Sequence, residues 1–215
     1  MTQHFKRFIE SLANPKGPGP STTFSMFHIF YALELMTEKP IGRTKLAKKM
    51  GVGKGAIRTI INHLKEARLI QTSKDGCKLT EKGVSVWNSF LDVIPKGIEI
   101  KRTTLTTSKF NYAFLVRNKG HRVKSGIDQR DAAIMGGAKR ALVIVVKKGR
   151  LIIESVSENV EEDFPEASKE ILEKIDAKDN DVIIVAGADD QLKAKRGAFA
   201  ASWVLVGDNN RRSQP

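Results

Sequence analysis

Within residues 42–83 a short helical pattern, a glycine turn, a cationic amphipathic pattern and a hairpin signal follow one another without a gap, and few architectures accommodate that order. The segment RTKLAKKM (43–50) keeps Leu46, Ala47 and Met50 on one face at helical spacing, and Gly51-Val52-Gly53 stops it. A second helix is predicted from Lys54. Its apolar positions Ile57, Ile60, Ile61 and Leu64 form an i, i+3, i+4, i+7 stripe for packing. At about 100° per residue the opposite face carries Gly55, Arg58, Thr59 and Asn62, flanked by Lys54 and Lys65. Leu69-Ile70-Gln71-Thr72 then reads as a strand, Ser73-Lys74-Asp75-Gly76 as a tight turn and Cys77-Lys78-Leu79-Thr80 as the returning strand, because Asp-Gly is a strong hairpin signal. Thr80 and Glu81 suit the cap and first turn of another helix.

The run GKGAIRTIINHLKEARLI, followed by the hairpin and LTEKG, resembles the winged-helix transcription regulators of the MarR and PadR kind over roughly residues 22–91. The outward face of the second helix has the chemistry of base readout, since Arg can donate in bidentate fashion to guanine and Asn can pair with adenine. Lys54, Arg58, Thr59 and Asn62 are therefore the candidate base-reading residues. Arg43, Lys45, Lys48 and Lys49 on the first helix, with Lys74 and Lys78 on the wing, are the candidate phosphate contacts.

Charge agrees with a polyanionic partner. The chain is +13 at pH 7 with pI about 9.9. Residues 1–96 hold 16 Lys and Arg against 7 Asp and Glu, a net of +9, whereas residues 97–215 hold 21 against 17, a net of +4. Motif and positive field coincide, which predicts steeply salt-dependent binding. A single cysteine excludes an intrachain disulfide and any multi-cysteine zinc site. With no run of about 18 apolar residues and no signal-like N-terminus, the chain is expected to be soluble and cytoplasmic, without a membrane partner.

At 215 residues the sequence allows two compact domains. The expected organisation is α+β: an N-terminal arm and Pro/Gly turn (1–20), a winged helix-turn-helix domain (21–96), a smaller mixed α/β domain (97–207) and a polar tail (208–215). Ser21-Thr22-Thr23 is expected to cap a helix over residues 24–37 that is apolar nearly all round, more than one face of a small domain needs. That surplus, and a second broad seam of Val84, Trp87, Phe90, Leu91 and Ile94, suggest a homodimer, the state in which winged helices read paired half-sites.

Beyond Pro95 and Gly97 strands are expected over residues 98–105, 110–116, 141–146, 150–154 and 181–186, and helices over 128–135, 163–175 and from Asp189 or Asp190 to Trp203. Two turns are candidate small-molecule sites: Asp128, Arg130 and Asp131 near Gly136-Gly137, and Asp189 with Asp190 at the carboxyl end of a buried strand. The acidic pair would repel a phosphate and suits hydroxyls, an amine or a divalent cation better. Each residue also has an ordinary structural role open to it: helix start for the aspartates, C-cap for Gly136, an ion pair for Arg130 with Asp131.

SGIDQRDAAIMGGAKRALVIVVKKGRLII together with DVIIVAGADD resembles the uncharacterised C-terminal domain that follows a winged helix in a group of archaeal proteins presumed to regulate transcription. The resemblance implies an archaeal source and an effector-sensing or assembly role, with no catalytic residues to carry over. His4, His28, His63 and His121 lack metal-ligand spacing, and no hydrolase, P-loop, zincin or dinucleotide motif occurs. The expected function is thus a sequence-specific, double-stranded-DNA-binding transcription regulator, not an enzyme, with no cofactor or metal and with a possible effector. The alternatives are an RNA-binding or translation-associated winged helix, and a bifunctional enzyme in which Asp128, Asp131, Asp189 and Asp190 converge.

Overall fold

The computed structural model describes residues 2–14 and 23–207. The expected Pro/Gly turn, the caps Ser21 and Thr22 and the polar tail 208–215 lie outside the described residues. Contacts divide the chain into two units, one built on Met1–Phe90 with Gly207 and the other on Leu91–Val206. The second, expected to be smaller, is the larger.

In the first unit the helices are α1 (Thr2–Ala13), α2 (Met26–Leu35), α3 (Arg43–Met50), α4 (Lys54–Glu66) and α5 (Glu81–Leu91), with the hairpin β1 (Ile70–Ser73) and β2 (Gly76–Leu79) between the last two. Cys77 exchanges two backbone hydrogen bonds with Ile41, each 2.9 Å, so the chain two residues ahead of α3 lies alongside the hairpin as an isolated antiparallel bridge. Burial of Ile57, Ile60, Ile61 and Leu64 follows the stripe in the sequence. α2 begins after Ser25, two residues later than expected, with the Ser25 N–H donating to His28 Nδ1 at 2.9 Å.

α1 corrects the reading of the first residues as an arm. Its Phe5, Phe8, Ile9 and Leu12 repeat the i, i+3, i+4, i+7 spacing of a buried face. Ile9 is fully buried, Phe5 meets Phe90 edge to face at 4.9 Å, and the Leu12 carbonyl accepts from His63 Nδ1 of α4 at 2.8 Å. α1 packs on α2, whose Phe27, Ile29, Phe30 and Leu33 are all buried, as is Met36 at its end. The apolar surplus of α2 that suggested a second copy is thus covered within the chain.

The second unit is a five-stranded sheet in the order β3-β4-β7-β5-β6, made of β3 (Lys96–Ile100), β4 (Phe110–Val116), β5 (Arg140–Lys147), β6 (Arg150–Ile152) and β7 (Val182–Ala188). Every pairing is antiparallel. Its helices are α6 (Ile127–Met135), α7 (Val160–Asp163), α8 (Pro165–Lys174) and α9 (Gln191–Leu205). β7 is central and buried at every position, because α9 covers one face while α8 residues such as Ile171 close the other. Strand β3 stops at Ile100, short of the expected end, because Thr103 and Thr106 tie the next residues into a turn: their side-chain oxygens lie 2.8 Å apart and Thr106 Oγ1 donates to the Lys101 carbonyl at 2.7 Å.

Candidate nucleic-acid interface

Lys54, Arg58 and Asn62 are exposed along the outward face of α4, opposite its buried isoleucines. They recur every four residues, about 6 Å apart along the axis, and form one stripe. Thr59 is half-buried, and its hydroxyl donates back to the Gly55 carbonyl at 3.2 Å, which leaves its methyl and a lone pair for a base edge. Gly53 and Gly55 have open space at their Cβ positions, so the N-terminal end of α4 presents little bulk to a groove floor.

Arg43, Lys45, Lys48 and Lys49 are exposed on α3, with the last two in its final turn, where cations complement the helix dipole. The wing turns at Lys74-Asp75, fixed by the Asp75 N–H donating to Ser73 Oγ at 3.1 Å, and Lys78 pairs in register with Gln71. Both wing lysines are exposed. Cys77 beside them faces inward at 2 % exposure; burial pushes its thiol pKa up, and the weaker pull of Arg43 and Lys65 opposes it.

Asp128, Asp131, Asp189 and Asp190 do not converge. Asp128 and Asp131 are exposed on α6, Asp131 lying 3.6 Å from Arg130 as an exposed ion pair. The Gly136-Gly137 pair serves packing: a Cβ on Gly136 would fall 3.0 Å from the Cα of Gly197, and one on Gly197 would fall 2.5 Å from the Cβ of Ala138. α6 thereby crosses α9 at close range, and Arg196 Nε locks the corner by donating to the Gly136 carbonyl. Asp190 caps α9, accepting from the Lys193 N–H at 3.0 Å. Asp189 pairs with Lys139 at 2.5 Å, and that contact, with Lys193 and Lys109 nearby, holds its carboxyl below the usual range. The turn at Asp189 is thus ringed by lysines, the reverse of the anion-repelling environment expected from its acids. The strand-end argument for a ligand also lapses, since it belongs to parallel sheets and this sheet is antiparallel. A groove bordered by Lys148, Arg150, Ile152, Val156 and Glu158 contains none of the expected ligand residues. Among the described residues no group of three or more His, Cys, Asp or Glu could hold a metal ion, and no helix is long and apolar enough to cross a membrane.

Residues 25–94 match the family described as the CggR N-terminal DNA binding domain, and residues 107–205 match a domain of unknown function, DUF4443. No curated protein matches. Among solved structures, the hypothetical protein PH0730 from Pyrococcus horikoshii OT3 is similar over 85 % of this chain and 92 % of its own, with a TM-score of 0.71 and 26 % identity. The N-terminal match supports DNA as a partner. The comparison with MarR and PadR regulators rests on the order of motifs alone.

Proposed function

We propose that the chain is a sequence-specific transcription regulator that lays α4 in the major groove of duplex DNA. Lys54, Arg58 and Asn62 read base edges in this docking, while α3 and the wing hold the phosphates. The observation that carries the reading is the uninterrupted exposed stripe on α4 within a segment that matches a DNA-binding domain. Specificity resides on that helix because it is rigid, backed by a buried stripe and free of bulk at its start.

The proposal includes a homodimer. Val84 and Leu91, seven residues apart on α5, remain 46 % and 36 % exposed, an apolar strip that supports pairing with a second copy once α2 is accounted for. It also includes a second unit that senses an effector and changes the spacing of the two reading heads, which a ligand does only through different affinities for the two arrangements. A thermal-shift panel of metabolites that stabilises the chain in no case counts against that last part.

Selection of bound duplexes from a random pool at about 150 mM salt tests the central claim, since nonspecific affinity is weak there. Enrichment of a palindrome with half-sites about one helical turn apart is the expected result. Enrichment of structured RNA over duplex in direct competition would refute it in favour of a translation-associated role.

A further inference from the structure

The second sheet ends in a concentration of positive charge assembled from four separate chain segments. The register of β3 on β4 puts Ile100 opposite Asn111, so Lys101 and Arg102 leave the sheet at the same end as Lys109. β4 on β7 pairs Phe110 with Ala188, and β5 on β7 pairs Arg140 with Gly187, which brings Lys139 and Arg140 to that end too. Lys193 lies in the first turn of α9, which starts there. All six are exposed. Lys139 pairs with Asp189, and among the described residues no ion pair engages the other five. The facing carboxylates are Asp189 and Asp190, with Glu99 bonded to Gln191 and Glu170 held by Lys174 and the Lys101 N–H. Even counting all four acids and Lys174, positive charge prevails, and Asp189 registers it through the lysines that hold its carboxyl ionised.

We propose that this end of the sheet is a second phosphate-contacting surface for duplex DNA, separate from α4 and the wing. The inference rests on the DNA-reading proposal and extends it to the second unit. An extended polyanion fits better than a small phosphorylated ligand for two reasons. The cations stand on strand ends, a loop and a helix start rather than around a cavity, and the groove bordered by Lys148 and Arg150 lies at the far end of β5. From β3 across β4 and β7 to β5 the row spans three strand spacings, roughly 14 Å. A duplex presents about eight phosphate charges over that length. Lysines on flexible stems meet phosphates as point charges without reading sequence, while Arg140 is held in place by donating to Thr107 Oγ1 at 2.9 Å.

The test uses the full chain and a quadruple variant, Lys101→Gln, Arg102→Gln, Lys109→Gln and Lys193→Gln, which leaves the Lys139–Asp189 and Arg140–Thr107 pairings intact. Affinity for a 30-base-pair duplex is measured from ~50 to ~300 mM salt, beside a control variant, Lys148→Gln with Arg150→Gln, at the opposite end of β5. The quadruple variant is expected to lower the slope of log K against log salt by about 3.6, at ~0.9 for each of the four phosphates left without a cation, with an unchanged melting temperature and an unaltered control. An unchanged slope, with sequence preference intact in the quadruple variant and lost in Arg58→Ala, overturns this inference and leaves the DNA-reading proposal standing. Loss of binding to phosphatidylglycerol vesicles with the slope retained also overturns it, assigning the surface to a membrane. No salt-dependent duplex binding by the unsubstituted chain would overturn both.

Discussion

Arg58 and Lys74 are both exposed and have opposite expected roles. Arg58 stands mid-stripe on α4, so Arg58→Ala is expected to cost about 1 to 3 kcal/mol at one base position and relax the preference there. Lys74 sits at the wing tip, and its replacement by Ala should weaken all duplexes alike and reduce the salt slope by about 1; competition titrations on a set of single-base operator variants separate the two. Cys77 gives a chemical probe of the same region. Buried and with its thiol pKa raised, it is expected to resist iodoacetamide in the native chain and to react once urea unfolds the first unit. Gly83 closes the wing where a Cβ would lie 2.0 Å from the Leu69 carbonyl oxygen, itself the acceptor of the Thr80 N–H at 3.0 Å. Gly83→Ala must push α5 off the hairpin, a loss on the order of 2 kcal/mol or more by chemical denaturation. Asp189 has a sign that can be worked out. Its carboxyl is depressed in the folded chain, so the ion pair stabilises above the unfolded value and fades as pH falls through the folded one. In Lys139→Gln the carboxyl should titrate nearer the ordinary aspartate range by NMR.

Among the elements, α4, the hairpin, β4, α6, α8 and α9 follow from local pattern, because each carries its own period, cap or turn residues. α1 carried one too: its four apolar residues repeat at helical spacing, but their place directly ahead of a Pro/Gly run hides them. Burial is the arbiter, and Ile9→Ala at the fully buried centre of α1 should cost about 3 kcal/mol, read as a lower urea midpoint with unchanged slope. The Gly136-Gly137 pair illustrates the opposite error. Glycines that suggested a loop open to ligands are there for a helix crossing that involves Gly197, sixty positions away, and no local pattern encodes such a partner. The cationic sheet end was illegible for the same reason, since strand register gathers its residues from distant segments while the sequence shows only two adjacent acids.

For the whole molecule, the excess positive charge gathers on two surfaces. The first unit concentrates its excess on α3, α4 and the wing, and the second concentrates a smaller excess on one end of its sheet. The apolar strip on α5 is the surface that supports association between copies. Val84→Asp, at a half-exposed site with little effect on folding, is expected to shift sedimentation toward monomer and to weaken binding to a palindrome at least tenfold while sparing a single half-site. A dimer that persists would move the interface elsewhere. The seat of α1 has a further consequence, for synthesis. Its ring partner Phe90 leaves the ribosome about 85 residues after Phe5, on the order of 4 to 17 s later at ordinary translation speeds. For that interval α1 has α2, and then α4, against its apolar face but not the Phe90 ring, so its seat is completed only when α5 emerges.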